Sequence, residues 1–520
     1  MNKNLFIKQL LNNSENGELK RLGKLFSTEK FNYFYDTGTG KIIQLDERSV
    51  GIFKKIFTDD FNLNNLLTDD YSEFVQFCIE EKLLQAIKPT SFSNELRRYE
   101  DLPRIVNGEM EQLILKVTGR CNFRCKYCIY NDEYDKNEGF LNEDMSREIA
   151  KKSIEFYYNN SKNSQYKAIT FYGGEPLLKF DLIQNSIDYA IELFAEKSDE
   201  LSFSFTSNLS LLTPEMANYL ASINNFNLVC SLDGDEISQN AYRQYRNGGE
   251  TFNDVINNLR MLCEIIEDKG NTTFSLAVNM VFTPPYSFEK LDRVNKFFES
   301  LDFLPKNFSI MITYPSLGSL DDTVAIAELK DNPQYKKYSF GNSIFTDPLQ
   351  QWSEQMVIKN GINENSEKTL YGNLIKGQLV RINTRYVFDE LFENYPFNGC
   401  CVPGMRRLYV DTKGDFYVCE RVGKTPKIGN INDGIDLDVI YQKYIKDYEE
   451  ESIKYCKDCW AIRLCGICFA SNMNEEGIDP NYHIKSCDIN RGKLENQLIF
   501  YCKLIEEDYD LTFLQNEYLY

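Results

Sequence analysis

Near the start of the chain, FNYFYD (residues 31–36) and KIIQLD (41–46) alternate apolar and polar positions, with Thr37-Gly38-Thr39-Gly40 between them. Two short alternating segments around a glycine-containing turn predict a β-hairpin. Helical spacing follows in ERSVGIFKKIF (47–57) and YSEFVQFCIEEKLLQAI (71–87), the second ending ahead of Pro89, which cannot continue a helix. A hairpin and two amphipathic helices in such a short stretch predict a small winged-helix-like module.

From residue 111 to about 315 strand and helix patterns alternate. Strands are predicted at 113–118, 168–172, 202–206, 228–232, 274–282 and 308–313. Helical patterns such as NEDMSREIAKKSIEFYY and FDLIQNSIDYAIELFAE lie between them, and Thr213-Pro214-Glu215 supplies an N-cap with Pro at the first helical position. Alternation of this length predicts an α/β fold with a parallel sheet and right-handed crossovers. Six such units make a partial (β/α)6 barrel whose working residues lie in the loops after the strands. Residues 316–395 are mixed and polar, without repeat or strong motif, and are read as a connecting region. The domains expected are 1–105, 106–315, 316–395 and 396–520.

Composition narrows the classes of function. A chain of 520 residues is expected to hold about three folded units, and 42% hydrophobic with 26% charged residues is ordinary for a globular protein. A formal charge of −20 repels phosphate backbones, so nucleic acid is a poor partner. The N-terminus lacks an apolar signal core and no apolar run reaches the ~18 residues of a membrane span, so a cytoplasmic protein is expected. In that reducing compartment the fifteen cysteines are expected to serve metals rather than disulfides, and the single histidine, His483, leaves little for histidine-based chemistry.

The most informative segment is Cys121-Asn-Phe-Arg-Cys125-Lys-Tyr-Cys128, directly after the first predicted barrel strand. Three thiolates in eight residues suit the soft irons of a cluster, and a four-iron cluster with only three protein ligands keeps one iron open. An open position distinguishes a catalytic metal site from a closed structural one. This CX3CX2C spacing, with an aromatic residue before the last cysteine, resembles the signature of radical S-adenosylmethionine (radical SAM) enzymes over roughly residues 107–315. The resemblance implies a [4Fe-4S] cluster that chelates S-adenosyl-L-methionine and, on reduction, splits it to a 5′-deoxyadenosyl radical that takes a hydrogen atom from substrate. The protein then supplies position and exclusion of water.

Gly173-Gly174-Glu175-Pro176, after the second strand, resembles the family's GGEP motif, which receives the methionine amino group. The glycines are expected to let the backbone approach a ligand and Glu175 to accept from a cation. Thr206-Ser207-Asn208 ends the third strand, either as a satisfied turn or as a contact with the ribose or methionine part of the cofactor. Ser231, Asp233 and Gly234 end the fourth strand as SLDG. QNAYRQYRNGGETF resembles the family segment HDxxR, with Gln239-Asn240 in place of the His-Asp pair, and Arg243 is read either as a bidentate partner of the cofactor carboxylate or as a surface arginine. Asn279 matches a family position near the cofactor. Cys78, Cys230 and Cys263 fall in apolar stretches and are expected in the core. No catalytic side chain is singled out beyond these.

Cysteine density rises again from Cys400. Cys401-x12-Gly414-x4-Cys419 followed by Cys456-x2-Cys459-x5-Cys465-x2-Cys468-x18-Cys487 resembles the SPASM domain of peptide- and protein-modifying radical SAM enzymes, with a third gap of x2 where x3 is common. By that resemblance Cys456, Cys459, Cys465 and Cys487 hold one auxiliary [4Fe-4S] cluster. Cys419 and Cys468, with Cys400 or Cys401 or both, hold a second, which has an open iron if only three thiolates reach it. A pair of zinc sites is the alternative.

The front module resembles the PqqD-like element that binds leader sequences of ribosomally made precursor peptides by strand addition. Together these resemblances imply a maturase that installs a thioether or carbon-carbon cross-link in a precursor peptide, drawing electrons from a flavodoxin or ferredoxin. The alternatives are an anaerobic sulfatase-maturing enzyme that forms formylglycine and a non-catalytic zinc scaffold.

Overall fold

The computed structural model describes residues 2–58, 61–92, 97–131, 139–316, 318–340, 343–391, 395 and 400–516. The front of the chain has its own core, in which Phe6, Leu10, Phe34, Phe53, Phe74 and Leu83 pack together. Strands β1 (Gly23–Ser27), β2 (Asn32–Asp36) and β3 (Ile42–Leu45) form an antiparallel sheet in chain order. The expected hairpin is β2–β3, and helices Glu47–Ile56 and Ser72–Glu80 follow it.

Three features of this module differ from the sequence expectation. Helix Lys3–Glu15 and strand β1 both precede the hairpin. Strand β1 shows no alternation because both its faces are covered: Leu25 packs on the front core while Phe26 packs with Trp460 and Leu498 of the C-terminal region. The last helix stops at Glu80, well short of Pro89, and Lys82 and Leu84 take positive φ. There the buried Asp36 carboxylate accepts the Leu84 amide at 2.9 Å, a tertiary contact that outweighs helix propensity.

Six parallel strands follow: β4 (Gln112–Thr118), β5 (Lys167–Gly173), β6 (Leu201–Ser207), β7 (Phe226–Ser231), β8 (Ser275–Val281) and β9 (Ser309–Thr313). They pair in sequence order, each within two residues of its predicted bounds. Thr213 caps its helix as expected, its hydroxyl accepting from Met216 N at 3.3 Å. One sheet face carries Leu113, Leu115, Ile169, Phe171, Phe203, Phe205, Leu228 and Val278 into the main core. By the period of two, the opposite face carries Ile114, Lys116, Thr170, Tyr172, Ser204, Thr206, Ser231 and Asn279. Polar side chains are frequent on that face, with Lys116 and Ser231 buried and Thr170, Ser204, Thr206 and Asn279 half-buried, and it is where ligands are expected.

The region read as a connection is folded. After helix Thr323–Asp331 come the hairpin β10 (Lys337–Phe340) and β11 (Ser343–Thr346) and the helices Pro348–Asn360 and Gly372–Asn383. Its pattern misled because polar groups are buried in pairs. Gln351 donates to Lys336 O at 2.6 Å and accepts its amide at 2.8 Å, so buried polar side chains stand among the apolar positions Leu349, Trp352 and Val357 that pack on the main core.

The C-terminal region joins the barrel sheet directly. Strand β12 (Leu408–Val410) pairs in parallel with β4, and β13 (Asp415–Tyr417), β14 (Gly429–Asn430) and β15 (Gly434–Ile435) extend it to ten strands. A 27-residue helix, Pro480–Glu506, closes the chain and carries the front module: Tyr33 donates to Glu506 at 2.7 Å and Lys24 pairs with Glu495 at 2.9 Å. Among the described residues no helix is long and apolar enough to cross a membrane.

Candidate cluster and cofactor site

All fifteen cysteines are free thiols, and Cys78, Cys230 and Cys263 lie in the core as expected. Cys121, Cys125 and Cys128 sit on the loop that leaves β4, at the end of the sheet where barrel function concentrates. The loop is held from both sides: Arg124 N and Lys126 N donate to Gln244 O and Tyr242 O, and Asn122 bonds Ser210 and Asn208 beyond β6. The three thiols influence one another electrostatically. Burial pushes Cys125 up to about 12, with Arg243 opposing, and burial likewise raises Cys121, where Glu175 adds to the effect, and Cys128. Without a cation these are protonated and unreactive, whereas iron takes them as thiolates outright.

The glycines of the GGEP segment serve the chain's own backbone. At Gly173, φ is +142°, and a Cβ would lie 2.1 Å from Thr118 O; at Gly174 it would lie 2.2 Å from Arg120 O. Glycine is thus required because the end of β5 runs against the stretch entering the cysteine loop. Glu175 likewise accepts from its own chain: Ser207 Oγ at 2.7 Å, Asn208 N at 2.9 Å and Leu177 N at 3.0 Å. One lone pair of its buried carboxylate remains for a cationic group. Pro176 begins the turn Pro176–Lys179.

Ser207 and Asn208 form the satisfied turn, the Ser207 and Asn208 side chains accepting from Leu209 N and Ser210 N. Thr206, Ser231 and Asn279 share the open face, with Ser231 and Asn279 directly paired in register. Arg243 is not a surface residue: it is 8% exposed and donates to the Tyr127 hydroxyl at 2.9 Å. Tyr127 donates in turn to Asp233 at 2.6 Å, and Asp233 accepts Val281 N at 3.0 Å. Burial raises the Asp233 carboxyl while Arg243 opposes it. On Arg243 itself burial alone would lower the value, but Cys125, Tyr127 and Asp233 hold it above its ordinary range. Gln239 and Asn240, the departures from the family segment, are spent on scaffolding, accepting from Asp233 N and from Thr251 N and Phe252 N respectively.

One buried atom here has no partner, the Arg243 Nε. A guanidinium edge left free beside three clustered thiols fits a carboxylate ligand, and a four-iron cluster with three thiolates fits the loop. Tyr127 was legible only as the aromatic residue before the last cysteine; its part in joining Asp233 to Arg243 needed the fold.

The rear cysteines also gather. Cys456, Cys459, Cys465 and Cys487 influence one another, with burial raising all four, Cys465 to about 11 and Cys487 to about 12. Cys468 acts on both Cys400 and Cys419. Cys400 is buried and interacts with Tyr448, whereas Cys401 lies 4.0 Å from Arg406 Nη1. Among the described residues no three His, Cys, Asp or Glu side chains converge as ligands of one ion. A single zinc needs its thiolates about 2.3 Å from one centre, whereas a four-iron cluster takes each thiolate on its own iron.

Residues 115–298 match the model of the radical SAM superfamily, so the chain contains a radical SAM domain. It is 34% identical over 178 residues to the uncharacterized protein MJ0907 of Methanocaldococcus jannaschii, a match covering 34% of this chain and 57% of that one. The chain thus spans less than two thirds of that relative. It is 28% identical over 427 residues to the radical SAM cyclopropyl synthase TigE of Paramaledivibacter caminithermalis, covering 78% and 79%. To a cysteine-type anaerobic sulfatase-maturating enzyme of Clostridium novyi it is 24% identical over 373 residues, covering 68% and 86%. The solved structure of native anSMEcpe with bound AdoMet superposes with a TM-score of 0.51 at 18% identity, covering 76% of this chain and 98% of that one, a likeness of fold.

Proposed function

We propose that this chain is a radical SAM maturase acting on a precursor peptide, with Cys121, Cys125 and Cys128 holding the cluster that binds S-adenosyl-L-methionine. The observation that carries the reading is the buried Arg243, with its Nε free, beside that thiol loop. Bound there, cluster and cofactor supply a 5′-deoxyadenosyl radical for hydrogen-atom abstraction. The chain's own residues hold the reactants. Arg243 receives the cofactor carboxylate, Glu175 offers its last lone pair to the amino group, and Thr206, Ser231 and Asn279 line the polar face beside them.

Cys456, Cys459, Cys465 and Cys487 hold one auxiliary cluster, and Cys419, Cys468 and Cys400 a second in a SPASM-type region; Arg406 beside Cys401 supports Cys400 as the ligand of the adjacent pair. The front module receives the leader. Among the described residues no strand pairs with the outer edge of β3, so an extended peptide can add there through its backbone. A thioether or carbon-carbon bond in the core segment is the product, and a flavodoxin or ferredoxin the electron source. The relative TigE, by its name a cyclopropyl synthase, supports carbon-carbon bond formation.

Oxygen-free protein loaded with iron and sulfide should form 5′-deoxyadenosine from S-adenosyl-L-methionine and a strong reductant. Formation no faster than by a variant with Cys121, Cys125 and Cys128 changed to alanine overturns the proposal. Formylglycine formation is a second reading, favoured by the sulfatase-maturating relative. It does not need the front module, so unchanged turnover after deletion of residues 1–105 selects it.

A further inference from the structure

His483 is the only histidine of the chain, is 2% exposed, and has neither ring nitrogen hydrogen-bonded. A neutral imidazole always carries an N–H, and leaving such a group buried and unpaired costs about 1–3 kcal/mol. The ring lies 5.4 Å from that of Tyr455, the residue before Cys456, and 6.3 Å from that of Tyr448, which bonds Cys400. It is therefore packed within the rear cysteine region and faces no solvent.

Helix Pro480–Glu506 gives the direction. Positions 483, 487, 490, 491 and 494 follow the three- and four-residue steps that put side chains on one helix face. Cys487 is one of the four cysteines of the first auxiliary set. Asn490 donates to Cys465 Sγ at 3.4 Å, and Arg491 donates to Cys459. From the adjoining helix, Arg381 lies close enough to Cys465 to act on its charge. One helix face thus delivers N–H donors to the cysteines, and His483 sits on that face, one turn before Cys487, with its donor unspent.

We infer that His483 donates its N–H to a sulfur of the auxiliary cluster held by Cys456, Cys459, Cys465 and Cys487 and, with Asn490 and Arg491, raises that cluster's potential. The inference rests on the auxiliary cluster of the proposed function and deepens it by naming a residue that would tune it. Donors and positive charge at the sulfurs stabilise the more negative, reduced cluster and so raise its potential.

Because the chain has one histidine, uniform [15N]histidine labelling of untagged protein reports on this residue alone. Pulsed electron paramagnetic resonance of the reduced auxiliary cluster, the signal that does not change on adding S-adenosyl-L-methionine, should show coupling to 15N. Redox titration of H483F should move the midpoint of that signal to more negative potential and leave the front cluster unmoved, with H483Q, which keeps an N–H, recovering part of the shift. Absence of 15N coupling in protein with a loaded auxiliary cluster, or the same midpoint in H483F as in the native chain, overturns the inference. Absence of auxiliary iron from the native chain overturns instead the reading on which it rests.

Discussion

The front and rear cysteine sets are brought together by opposite routes. Cys121, Cys125 and Cys128 sit on one short loop, so most of the cost of bringing them together is met when that loop forms, and the surrounding fold mainly supplies the buried Tyr127, Asp233 and Arg243. The rear set runs from Cys400 to Cys487, and the helix Pro480–Glu506 must dock before Cys487 meets Cys456, Cys459 and Cys465. Chain entropy grows with the length of the loops to be closed, so the rear ligands depend on packing in a way the front ones do not.

The sharpest way to break the comparison is at the front loop. Changing Cys125 to alanine should remove the front cluster and lower 5′-deoxyadenosine formation by at least about 1000-fold, or ~4 kcal/mol of barrier, measured by chromatography of the quenched reaction. Changing Cys459 to alanine should lower iron by about four atoms per chain while cofactor cleavage persists and the peptide product disappears. Product formation at the native rate in C459A would remove the auxiliary cluster from the reaction.

Within the front site, R243K keeps the charge but loses the planar fork, and should weaken S-adenosyl-L-methionine binding by roughly 10- to 100-fold, about 1.5–3 kcal/mol for charge-assisted hydrogen bonds. Equilibrium dialysis checks this, and unchanged affinity would return Arg243 to a purely structural role. G174A places a methyl group against Arg120 O and should destabilise the loop by about 1–3 kcal/mol, read as reduced iron retention on dilution into chelator.

The smallest effect lies in the front module. Burial raises the Asp36 carboxyl to about 6 from an ordinary 3.8, while the Leu84 and Thr39 amides oppose the shift. An acid raised in the folded state favours folding fully below its unfolded value and loses that contribution as pH rises through the folded value. Protection of the Leu84 and Thr39 amides, corrected for intrinsic exchange, should therefore fall between about pH 4 and pH 6, by at most ~3 kcal/mol for a shift near two units. In D36N the decline should be flat.

What could be read without coordinates follows from the range of the interactions. Strand alternation, the Thr213-Pro214 helix start and the front cysteine spacing are local, and all three appear in the fold where they were expected. Strand β1 was illegible because opposite faces pack on two different cores, and the helix Pro348–Asn360 because buried glutamines stand among its apolar positions. The glycines of GGEP were legible as glycines, but the close packing that requires them was not, since the backbone they approach lies about fifty-five residues earlier in the chain.

By itself, the order of residues determined the six-strand parallel alternation and the short loop that brings Cys121, Cys125 and Cys128 together. These depend on local periodicity and on spacings of a few bonds. Only the tertiary structure decided that Arg243 is buried beside Cys125, that Cys400 is buried within the electrostatic reach of Cys468, that β12 extends the barrel sheet, and that His483 is sealed in with neither ring nitrogen hydrogen-bonded. Each of those depends on which distant segments share a buried volume, where an unpaired charge or donor is costly, and packing of the whole chain is what settles that.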